Sequence, residues 1–152
     1  PNPFYLLKKH SDPGSYQEVL KLRDIIKANA FKETWGRAAE QFADYWNGSG
    51  AWKKMDELRQ EKFAEALKPN FHEFDCVINE TTTLEEWRDV LPLNTHILFS
   101  EQTVNSIRKI VTIFEETMSN WTFHSYSEGS HMAPLTHPNV LNPIIHKILT
   151  EV

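Results

Sequence analysis

The chain is poor in glycine and nearly free of cysteine, with five glycines and one cysteine, Cys76, in 152 residues. A lone cysteine excludes an internal disulfide and any zinc site built from cysteines, and it fits a reducing, cytoplasmic setting. Scarce glycine beside aromatic residues at 12% points to a helix-rich core of large side chains. No apolar run approaches the ~18 residues that a membrane-spanning helix needs, so no integral membrane protein is expected. No charged start followed by an apolar stretch opens the chain, so no signal peptide is expected. Positive charge is also in deficit. Sixteen Lys and Arg stand against 21 Asp and Glu, a net charge of -5, which argues against nucleic acid as the main partner.

The length suits one domain with one core. Pro1 to Leu7 is apolar, out of character for a free terminus. It reads as the continuation of a longer chain, with a docked N-terminal arm as the other reading. Asp12-Pro13-Gly14 marks a turn, and Ser15 with Glu18 forms a candidate capping box. Val19, Leu20, Leu22, Ile25 and Ile26 then keep helical spacing to about Ala30. A second helix is predicted from Thr34 to Trp46, broken at Asn47-Gly48-Ser49-Gly50. A third runs from Trp52 to Leu67, stopped at Pro69-Asn70. Phe71 to Ile78 reads as a further helical piece, and Thr83 caps a short helix through Trp87.

At Pro92 the pattern changes. Thr95 to Phe99 is rich in strand-forming residues, and Val104, Ile107, Ile110, Val111 and Phe114 form an amphipathic helix. Trp121 to Tyr126 alternates as a strand does, Ser127 to Pro138 is a loop, and Val140 to Leu149 is a closing helix. Residues 94 to 152 therefore read strand, helix, strand, helix, a βαβα unit that makes a parallel sheet. Two parallel strands do not stand alone. Residues 1 to 93 contain no convincing strand, so the missing ones must come from a swapped second copy or from sequence outside this chain. A free-standing all-helical domain is the reading that follows if the strand assignments fail.

Gly129-Ser130-His131-Met132-Ala133-Pro134-Leu135-Thr136-His137-Pro138 resembles the catalytic-histidine loop of α/β-hydrolases. In that family the loop follows the last strand of the sheet, and a helix then closes the fold. The order of elements agrees, with Ser100-Glu101 at the exit of the first strand. Ala38-Ala39-Glu40, Phe42, Tyr45-Trp46, Gly48, Gly50 and Trp52 resemble the helical lid of the family's small members, and Pro1-Asn2-Pro3-Phe4 resembles what leads into the lid. The resemblance implies residues 1–93 as lid, residues 94–152 as the C-terminal part of the α/β core, and a fold incomplete without its N-terminal half. It implies no cofactor.

The family nucleophile sits in a Gly-X-Ser-X-Gly elbow, which needs glycines four positions apart. The glycines here are at 14, 36, 48, 50 and 129, and no pair fits. The resemblance makes His131 the general base and acid of acyl transfer, matched to neutral pH by its ordinary titration range. The acid position of many members falls on Thr103, which cannot carry charge. Glu101 is the nearest substitute, and otherwise the acid precedes Pro1. Phe42, Tyr45, Trp46 and Trp52 are candidates to line a substrate pocket, although aromatics at helical spacing also serve as core. His124 and His137 match no zinc spacing, and no metal is expected. The expected function is the lid and C-terminal half of a serine-type hydrolase for acyl bonds of small apolar substrates. The alternative is a nucleophile-lacking binding module that pairs with another chain or a second copy.

Overall fold

The computed structural model describes residues 2–10 and 13–150. The fold is mixed α/β and mostly helical. Helices α1 (Tyr5–His10), α2 (Pro13–Phe31), α3 (Trp35–Asn47), α4 (Glu57–Ala66), α5 (Asn70–Ile78) and α6 (Leu84–Val90) come first. Strand β1 (His96–Ser100), helix α7 (Asn105–Thr117), strand β2 (Thr122–Tyr126), and helices α8 (Ala133–Thr136) and α9 (Pro138–Thr150) follow. The strands pair in parallel, His96 opposite Thr122 through Ser100 opposite Tyr126. Thr122 N–H donates to Thr95 C=O, and Glu101 N–H to Tyr126 C=O, closing the ladder at both ends. With this parallel pair the all-helical reading falls.

The core is organised around the start of the chain. Phe4, Tyr5, Leu6 and Leu7 are all buried, because α1 packs on both α2 and α7. Val19, Leu22 and Ile26 of α2 and Ile110, Ile113 and Phe114 of α7 close over them, together with Trp46, Phe74, Leu84 and Trp121. This cluster crosses residue 93 without a break. Trp87 donates its indole N–H to the Tyr5 hydroxyl at 2.6 Å, and its ring meets Phe114 edge-on.

The helix starts have identifiable causes. Thr83 and Glu86 form a reciprocal capping box on α6, as their spacing suggests. Ser15 does not cap α2. The helix already begins at Pro13, where a missing N–H costs nothing. Ser15 is instead fully buried, and its hydroxyl accepts a hydrogen bond from the Asn105 side chain at 2.9 Å. Asp12, in the expected turn, lies outside the described residues. The expected helix from Trp52 to Leu67 is divided. Trp52–Lys54 form a single 3-10 turn, and α4 starts anew at Asp56, whose carboxylate accepts the Arg59 N–H at 2.9 Å. The Asp44 carboxylate explains the division. It accepts the N–H groups of Gly50 and Trp52, both at 2.9 Å, and ties the turn after α3 to that helix. Gly48 and Gly50 carry the positive φ values this turn requires.

The sheet is less well covered than the helices. Ile97 and Phe123 pack on the core from one face, yet no apolar residue of either strand is fully buried. On α9, Leu141 is buried, whereas Ile145 and Leu149 stay exposed.

Truncating Leu6 to Ala should destabilise the chain by about 2–5 kcal/mol, because a fully buried leucine leaves a cavity at the meeting of three helices. Thr83→Ala should cost about 1 kcal/mol through loss of the cap. Urea unfolding of both variants checks this. Equal losses would mean that the N-terminal segment is not the centre of the core.

Candidate active site

His131 lies in the loop between β2 and α8. The loop is fixed at its start by Gly129, which takes φ +82°. A Cβ there would lie 2.8 Å from both the Ala133 Cβ and the His137 Nδ1, so only glycine fits. The Gly129 carbonyl accepts the Ser100 hydroxyl at 2.6 Å, which ties the loop to the exit of β1. Ala133 N–H donates to Ser130 C=O, folding the chain back around His131. Thr136 and His137 pair through the hydroxyl and Nδ1 at 2.8 Å, so His137 braces the end of the loop.

The loop presents His131 to the aromatic helices. Its ring lies 4.4 Å from the Trp46 ring, centroid to centroid, tilted by 33°. His131, Trp46 and Phe42 line one cavity of about 270 Å³ with Phe4, Phe74 and Val77. Phe42 meets Trp46 edge-on, and Phe4 stacks on Phe74, so the walls are held by ring contacts. Asn2, Asn70 and Glu73 supply the polar rim. The residues missed in the sequence, Phe4, Phe74 and Val77, all sit in segments already marked as apolar. What was missing was the packing of Phe4, just ahead of α1, against Trp46 of α3 and Phe74 of α5.

His131 keeps an exposed edge, but the ring face on Trp46 is removed from water. That partial burial lowers its pKa below the usual histidine value. The neutral ring required of a base is therefore favoured at neutral pH. Among the described residues no carboxylate hydrogen-bonds this ring. The Trp46 indole N–H is buried and has no acceptor among the described residues, an unfilled donor in the cavity wall.

The remaining candidates lie elsewhere. Glu101 is exposed and does not reach His131. Its carboxylate accepts the Ser125 hydroxyl at 2.9 Å, and Arg108 donates to its backbone carbonyl. Tyr45 turns away from the cavity to hydrogen-bond Ser106 at 2.6 Å, and burial raises its pKa. Trp52 packs on Phe63 beside the Ala38–Ala39–Leu67 cluster. Neither aromatic lines the His131 cavity. Among the described residues no group of three or more His, Cys, Asp or Glu side chains could hold a metal. None of the described helices is long and apolar enough to cross a membrane.

No family model matches this chain, and no curated protein or solved structure matches it.

Acid should destabilise the fold through His131. Its folded pKa lies below the unfolded value of 6.5, so the unfolded chain takes up the proton first. The contribution is intact above about pH 6.5 and is lost as the pH falls through the lowered folded value. Imidazole NMR should give His131 a midpoint below the usual histidine value, and Trp46→Ala should move it upward. A His131 midpoint unchanged by Trp46→Ala would show that stacking does not set its environment.

Proposed function

We propose that this chain supplies the lid and the histidine-bearing C-terminal part of a serine-type acyl hydrolase of the α/β-hydrolase kind. The observation that carries the reading is the seat of His131. It follows the second of two parallel strands and lies against the aromatic cavity formed by Phe4, α3 and α5. The cavity suits a small apolar acyl or ring group, with Phe42 and Trp46 as contacts. A complementary segment bearing the nucleophile elbow would add strands to the open sheet. Its serine would attack the ester carbon, and His131 would take the serine proton and deliver it to the departing alcohol. Water would then release the acid from the acyl enzyme, again through His131. With Glu101 engaged by Ser125, the carboxylate that orients His131 is assigned to the complementary segment.

A second reading has a specific observation in its favour. Among the described residues the His131 ring has no carboxylate partner and the Trp46 N–H has no acceptor. Both fit a cavity that holds an apolar ligand without turning it over, in a module completed by another chain or a second copy.

The test joins this chain to a complementary segment carrying a Gly-X-Ser-X-Gly elbow and follows hydrolysis of short p-nitrophenyl esters. His131→Ala should lower kcat/KM by about 100-fold or more. Phe42→Ala should mainly raise KM. Turnover that survives His131→Ala would remove the catalytic role and leave the binding module.

A further inference from the structure

Asn47 and Gly48 lie where α3 meets the histidine loop. Asn47 is the one asparagine of the chain that glycine follows. It is the last residue of α3, and Gly48 has already left the helix, at φ 89° and ψ 155°. Gly48 is exposed, and a Cβ there would meet nothing within 4 Å. The peptide between the two residues is therefore open to water, and no side chain at position 48 hinders an approach to its nitrogen. The last residue of a helix also frays most readily. That freedom lets Asn47 Cγ rotate toward the Gly48 nitrogen.

The Asn47 side chain joins two parts of the fold. Its Nδ2 donates to the Ala43 carbonyl at 3.1 Å, and its Oδ1 accepts the Ser130 hydroxyl at 3.4 Å. Ser130 directly precedes His131, and Trp46, the neighbour of Asn47, packs against the His131 ring. An amide serves both contacts, whereas a carboxylate serves one. It has no N–H for the Ala43 carbonyl, and its charge is disfavoured beside the last carbonyls of a helix. The Ser130 hydroxyl can still donate to it.

We propose that Asn47 is a modification site: it deamidates through Gly48, and the carboxylate formed seats against Ser130 at the base of the His131 loop. The Gly48 nitrogen bonds to Asn47 Cγ and gives up its proton. The Cγ–Nδ2 bond breaks, and ammonia departs from a cyclic succinimide. Water then opens the ring. Cleavage of the new Cγ–N bond gives aspartate, and cleavage of the original backbone C–N bond gives isoaspartate. Water is the only co-reactant, and nothing is oxidised or reduced. Asn105-Ser106 is the contrasting pair. Asn105 is held by its hydrogen bond to Ser15, and Ser106 is fully buried, so that amide persists. The charge gained at position 47 enters one residue from His131. Glu73 of α5 lines the same cavity, and His137 of the loop is bound to Thr136; the conversion alters neither. A nearby negative charge favours the imidazolium form. The inference is independent of the acyl-transfer reading.

The folded chain is aged at mildly alkaline pH and body temperature, then mapped by peptide mass spectrometry, with far-UV circular dichroism to show that it stays folded. The peptide holding Asn47 should gain about 1 Da and separate into aspartate and isoaspartate forms, while the peptide holding Asn105 stays unchanged. Asn47→Asp should move the His131 imidazole midpoint upward, and adding Ser130→Ala should remove most of that shift. An aged, folded chain with Asn47 intact would overturn the modification, as would conversion seen only after unfolding in urea or no faster than at Asn105. A His131 midpoint unmoved by Asn47→Asp, or a shift indifferent to Ser130→Ala, would overturn the seat at the loop.

Discussion

A two-stranded parallel sheet is the constraint on which this structure turns. In a parallel pair, alternate backbone amides and carbonyls of each strand point away from the partner. β1 and β2 have no other neighbour among the described residues, so each is an edge. The strands are only half-buried, and Ile145 and Leu149 of α9 stay exposed. A small sheet of this kind persists because α7 and the core behind it hold one face, through Ile97 and Phe123.

That core also joins residues 2–93 to residues 94–150. Phe4, just ahead of α1, lines the His131 cavity, and α1 contributes Tyr5 to a hydrogen bond with Trp87 and Leu6 and Leu7 to the packing of α2 and α7. The histidine loop hangs from the strand ends by Ser100 and Gly129, and its ring reaches across to Trp46 of α3. The relative placement of loop and aromatic helices is therefore fixed by apolar burial, with single hydrogen bonds setting the register.

Local signals were legible where the physics is local. Thr83 and Glu86 satisfy each other three residues apart, and the strand–helix–strand order of residues 95 to 126 follows from periodicity alone. The parallel pairing follows from the helix between the strands. What could not be read depends on distant partners. Ser15 looks like a cap, but Asn105, far along the chain, claims its hydroxyl. Trp52 keeps helical spacing with α4, but Asp44 reaches forward to tie the backbone there into a separate turn. At the candidate site, His131, Phe42 and Trp46 converge, while Tyr45 and Trp52 are core aromatics and Glu101 belongs to Ser125. Side-chain type marked the candidates; only packing separated wall from core.

Native-state hydrogen exchange on the chain, with its mass in solution measured in parallel, tests most directly whether the sheet is incomplete. The account predicts that strand amides facing away from the β1–β2 ladder exchange almost as fast as in a free peptide, while those of α2 and α7 are the most protected. Outward strand amides as protected as α7 in a chain that sediments as a monomer would contradict it.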